Sequence, residues 1–156
     1  MENVSTFGFN DCLWCKLCVR GTKLIVGVCY RSPASSSVND EGQLSMFNSV
    51  GDLADTNTCI VVMGDLDLPN IDFRTSCVHV ASDSFAGRVF DCLIDNFWKQ
   101  HATDFTRIRD NQAPSCLYWV IMVEADIVEE LLTYKEPLGK SDHSLHSIDT
   151  SSFLSI

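Results

Sequence analysis

The chain has 156 residues, of which 46% are hydrophobic and 21% charged, enough to bury a core as one ordinary domain or part of a larger one. Its formal net charge is -10, from 21 acidic against 11 basic residues, which argues against strong nonspecific binding to nucleic acid. The apolar runs are too short to cross a bilayer and Met1-Glu2-Asn3-Val4 carries no signal-peptide pattern, so the expectation is an intracellular protein, not secreted and with no membrane partner.

Residues 1–13 are expected to fray, 14–150 to form the domain and 151–156 to be a tail. Leu13 to Val19 and Leu24 to Tyr30 are apolar runs separated by Arg20-Gly21-Thr22-Lys23, which predicts two strands in an antiparallel hairpin. Ser32 to Asp40 is rich in serine and reads as a surface loop. Leu44, Phe47, Val50, Leu53 and Ala54 recur at helical spacing, predicting a helix from Glu41 to Ala54. Cys59 to Met63 reads as a strand buried on both faces, broken at Gly64 by a turn carrying Asp65, Asp67 and Asp72 around Pro69-Asn70.

Spacings of three and four from Phe85 to Phe97 predict a second helix, about Ser84 to Trp98, capped by Asp83 or Ser82, with Phe90, Phe97 and Trp98 in the core. Cys116 to Val123 is another apolar strand. Ala125 to Tyr134 fits a helix or a strand with its loop equally well. Pro137-Leu138-Gly139 is a turn, and a last strand runs from Ser141 to Ile148. The strand, helix, strand order makes this a mixed α/β chain.

Eight cysteines without a secretory signal read as reduced thiols, with Cys29, Cys59, Cys92 and Cys116 acting as small core residues. Cys12, Cys15 and Cys18 have a metal-like spacing but lack the fourth cysteine of a ferredoxin run. On a strand, successive steps of three point to opposite faces. A buried strand ending in an acidic turn is where α/β proteins place their chemistry, although an acidic surface turn has the same spacing. His143 beside Asp142, at the mouth of a strand, suits an acid/base partner, a metal ligand or a plain surface residue.

Taken in order, Tyr30-Arg31-Ser32-Pro33, Gly64-Asp65-Leu66-Asp67-Leu68-Pro69-Asn70-Ile71-Asp72-Phe73, Thr106-Arg107 and Ser141-Asp142-His143 form a more specific set. It resembles the endonuclease/exonuclease/phosphatase superfamily. Within it, the likeness is to the endonuclease domain of non-LTR retrotransposon endonuclease-reverse transcriptases, where Y-R-P-P, G-D-F-N-L-P-x-I-D-W, T-R and S-D-H follow in that order.

The resemblance implies the C-terminal part of a four-layer α/β sandwich, a mixed sheet with flanking helices. It also implies hydrolysis of a phosphodiester with Mg2+ (or Mn2+) as cofactor and DNA as partner, the last opposed by the net charge. By the family's pattern Asp65 orients or deprotonates the attacking water, and His143 meets charge developing on the phosphate. Asp142 assists the histidine or the metal, which Asp65 and Asp142 hold. Tyr30, Arg31 and Arg107 hold the substrate.

Three positions depart from the pattern. The family's second motif asparagine is Asp67, which only accepts hydrogen bonds and adds negative charge. The aspartate that orients the family's histidine is replaced within Leu117-Tyr118-Trp119 by the phenol of Tyr118. The portion carrying the family's other metal ligands has no counterpart before Trp14, which also leaves a sheet face uncovered and open to self-association. A truncated, degenerate phosphodiesterase domain is therefore favoured. The alternatives are an active nuclease or phosphatase in which Asp65 and Asp67 together bind the cation, and a non-catalytic α/β interaction module.

Overall fold

The computed structural model describes residues 9–19, 21–102, 116, 118–123, 132–135 and 145–148. The chain opens with a hairpin of two long strands, β1 (Cys12–Val19) and β2 (Thr22–Tyr30), turned at Gly21. Helix α1 (Ser37–Gly51) then carries the chain back so that β3 (Thr58–Asp65) lies parallel to β2. A parallel pair needs such a crossover, because a short turn cannot return the chain to the starting end. Two short strands, β4 (Ile71–Asp72) and β5 (Cys77–Val78), pair with each other before helix α2 (Phe85–Asp95).

Strands β6 (Trp98–Gln100) and β7 (Tyr118–Val123) complete a five-stranded mixed sheet in the order β1-β2-β3-β7-β6. Strands β8 (Leu132–Lys135) and β9 (Leu145–Ile148) pair antiparallel as a separate two-stranded sheet. The segment that fitted helix or strand equally well thus ends in a strand. The expected last strand is present over its final four residues, and Pro137-Leu138-Gly139 lies outside the described residues.

The sheet is apolar on both faces. Side chains alternate along a strand, so Ile25, Cys29, Ile60, Val62, Trp119 and Ile121 face α1 and α2, where Phe47, Val50, Val89 and Leu93 meet them in the main core. The opposite face holds a smaller cluster of Cys59, Val61, Val120, Met122 and Ala102. Burial on both faces explains why β3 reads as an unbroken apolar run. On that second face, Leu13, Leu17, Val28 and Tyr30 of the first hairpin stay largely exposed.

Helix α1 starts earlier than expected, and α2 starts where expected but with a different cap. Ser36 caps α1, its hydroxyl accepting from the Asn39 amide, so the serine-rich stretch supplies a first turn rather than only a loop. Helix α1 ends at Gly51, and Leu53 and Ala54 close a turn onto the Val50 and Gly51 carbonyls. Ser84 caps α2 through the Gly87 amide, while Ser82 and Asp83 belong to the turn closed by Ser84 onto the Ala81 carbonyl.

Helix α2 stops at Asp95, because Phe97 turns left-handed at φ 57° and sends the chain into β6. Phe97 is consequently 73% exposed instead of lying in the core, whereas Trp98 is buried edge-on to Phe47 and donates its indole N–H to the Phe47 carbonyl. Cys29, Cys59 and Cys92 are buried as expected, and Cys116 is half-buried. Along β1, Cys12 and Cys18 share one face and Cys15 the other.

Candidate functional site

The acidic turn is built where β2 and β3 end together. Tyr30 stands opposite Asp65 in the parallel register, and Asp65 stands opposite Tyr118 in the antiparallel one. Directly opposed residues point to the same side of a sheet, so the two phenols flank the Asp65 side chain across three strands. Tyr30 is 55% exposed and Asp65 is partly exposed, leaving this row open to solvent at the strand ends.

Gly64 makes the row possible. Its φ of 150° suits glycine, and a Cβ there would run into the Cys29 carbonyl on the neighbouring strand. Beyond it the chain turns abruptly. Leu66 and Leu68 are buried, Asp67 adopts a left-handed φ of 42°, and the Asp67 amide donates to an Asp65 carboxylate oxygen at 3.3 Å. The segment is therefore not extended through Asp67. The two acids do not share a face by simple alternation; Asp67 instead holds Asp65 through its backbone.

Arg31 ties the corner to α1. Its amide donates to the Asp65 carbonyl at 2.8 Å. The guanidinium donates to both oxygens of Asp40 at 2.9 and 3.2 Å, reaches the Asp67 carbonyl at 3.3 Å and lies 4.7 Å over the Phe85 ring. At 8% exposure it is committed to structure, so of the two described residues expected to hold substrate it is Tyr30 that faces solvent. Asp40, the partner that fixes Arg31, is not singled out by the sequence because it falls in the serine-rich stretch; an acid in the first turn after a serine cap is the available signal.

Asp72 closes the far side of the turn. One carboxylate oxygen accepts from the Thr75 hydroxyl at 2.8 Å and the other from the Arg74 amide at 2.9 Å. These hydrogen bonds, the Thr75 hydroxyl foremost, hold its carboxyl below the usual carboxylate range. Phe73 packs edge-on against Trp119 at 4.9 Å, fastening the turn over the core.

Asp142, His143 and Arg107 lie outside the described residues. Asp65 and Asp67 offer hard oxygen donors of the kind Mg2+ and Mn2+ take. Among the described residues no group of three or more His, Cys, Asp or Glu side chains is arranged to hold a metal ion. Mg2+ commonly binds through one or two carboxylates with water and phosphate making up the rest, so the chemistry of Asp65 fits such an ion.

The five-stranded mixed sheet and the two helices packed on its face form an endonuclease-like α/β fold. Among solved structures the chain is similar to the "Endonuclease domain of TRAS1, a telomere-specific non-LTR retrotransposon", with a TM-score of 0.59 at 14% sequence identity. The match covers 88% of this chain and 61% of that one. At this identity the likeness is one of fold, and it agrees with the resemblance read from the motifs. No protein-family model and no curated protein matches the chain.

Proposed function

We propose that this chain is a degenerate phosphodiesterase domain derived from a retroelement endonuclease. The observation that carries the reading is the row Tyr30, Asp65, Tyr118 at the ends of β2, β3 and β7. A carboxylate fixed at a strand end by the Asp67 amide suits aligning a water for attack on phosphorus, and a solvent-facing phenol beside it suits holding a phosphate oxygen. Asp65 with Asp142 would hold a divalent cation, which would neutralise the phosphate charge. His143 is assigned the developing charge on the phosphate and Arg107 a contact to the nucleic-acid backbone.

The same row supports degeneracy. Tyr118 sits directly beside Asp65 where the family's pattern has the carboxylate that orients the histidine, and a neutral phenol cannot counter an imidazolium as a carboxylate does. Asp67 adds negative charge next to an anionic substrate, and Arg31, whose guanidinium reaches the Asp67 carbonyl, is already paired with Asp40. Groups acting in one mechanism fail together rather than additively.

The test is nicking of supercoiled plasmid DNA with Mg2+ and then Mn2+, comparing the natural chain with Asp65→Ala and His143→Ala. Background-level cleavage in all three is expected. Cleavage by the natural chain that disappears in both variants would establish an active nuclease and overturn the degenerate reading.

A further inference from the structure

Strands β1 and β2 place two cysteines face to face. Cys12 is directly opposite Cys29, and both point toward the helix-covered side of the sheet. The Tyr30 amide donates to the Asp11 carbonyl at 2.9 Å, which makes Asp11 and Tyr30 a hydrogen-bonded pair. The neighbouring Cys12–Cys29 pair is then of the non-hydrogen-bonded kind. Such pairs bring their Cα atoms to about 4.5 Å, within the range of roughly 4.4–6.8 Å that a disulfide spans. All eight cysteines are free thiols. In the strand ladders the other cysteines face different residues, as Cys15 faces Val26, Cys18 faces Lys23 and Cys59 faces Leu24.

We propose that Cys12 and Cys29 form an oxidation site, closing a cross-strand disulfide when the chain meets a small disulfide oxidant such as oxidised glutathione. Cys12 is half-buried and Cys29 is 2% exposed, so Cys12 meets the oxidant first. The Cys12 thiol loses its proton, leaves its hydrogen bond to the Phe9 carbonyl and attacks the oxidant, releasing one glutathione thiolate. Cys29 then loses its proton and attacks the Cys12 sulfur, releasing the second. Two protein thiols are oxidised to one disulfide and one oxidised glutathione is reduced to two thiols. The link pins β1 to β2 one residue before Tyr30, and it holds whether or not the acidic corner cleaves phosphodiesters.

The experiment incubates the folded full-length chain with oxidised glutathione at mildly alkaline pH, quenches free thiols and maps peptides without reduction. The expected result is a product lighter by two hydrogens in which Cys12 and Cys29 peptides are joined. Cys15→Ser should give the same product and Cys12→Ser should not. A lasting glutathione adduct on Cys12, a different dominant pairing, unchanged mass, or the same two-hydrogen loss in Cys12→Ser would each overturn the proposal.

Discussion

The guanidinium of Arg31 and the carboxylate of Asp40 meet through two hydrogen bonds, joining the end of β2 to the first turn of α1. Both side chains are largely shielded, at 10% and 15% exposure. Removing one partner leaves the other charge buried and uncompensated. Asp40→Ala is expected to lower unfolding free energy by about 3 kcal/mol in urea melts, whereas Asp91→Ala on the exposed side of α2 changes it by less than about 0.5 kcal/mol. Equal effects would remove Arg31 from its structural role.

Gly64 has no tolerance for a side chain. Its φ of 150° is rarely adopted by other residues, and the obstruction is backbone, the Cys29 carbonyl, which cannot rotate away. Gly64→Ala is expected to cost on the order of 3 kcal/mol or more, read as a collapse in soluble yield or a sharply lowered thermal midpoint. A variant with natural stability would show that β2 and β3 can part at the corner.

Gln43 offers the opposite case. It is fully buried in α1, and neither its amide nitrogen nor its oxygen has a hydrogen-bond partner. A buried amide so placed keeps its desolvation cost without return. Gln43→Met, similar in length and apolar, is expected to raise stability by about 1–3 kcal/mol. A urea midpoint that falls instead would mean the amide is satisfied in solution.

Burial, helped by the negative charge of a Cys12 thiolate, pushes the Cys29 thiol up to about 12 from 9.0. The folded state thus holds this proton more tightly than the unfolded one. The contribution is fully present below about pH 9 and is lost as pH rises toward 12. Between those limits the natural chain should lose on the order of 4 kcal/mol more than Cys29→Ala, measured as the difference in slope of stability against pH. Parallel slopes would mean the thiol is less enclosed than its position implies.

The hairpin β1–β2, the buried β3 and the corner after it were legible because apolar runs, a glycine turn and clustered acids are local signals. The start of α1 was missed because Ser32 to Asp40 reads as loop while Ser36 acts as a cap, a difference of chain direction that composition does not carry. Helical spacing places both Phe97 and Trp98 in the core; the left-handed backbone at Phe97 leaves that side chain exposed, while Trp98 is buried as expected. Strands β4 and β5 are two residues each, too short for any periodicity. The site was legible in part: Asp65 and Tyr30 were read from motif order, but the placing of Tyr118 against Asp65 depends on strand register. The roles of Arg31 and Asp40 depend on tertiary contact, which no spacing rule reports.

The parallel pairing of β2 with β3 also sets an order of assembly. The β1–β2 hairpin closes through contacts between neighbours in sequence and can form within microseconds. Tyr30 finds Asp65 only after the whole α1 crossover has docked, a longer loop to close and a slower step. The hairpin's contacts are thus expected to be sampled before the corner's, although the hairpin becomes stable only when the rest of the sheet and its helices pack on it. The pairing of Tyr30 with Asp65 waits on the α1 crossover.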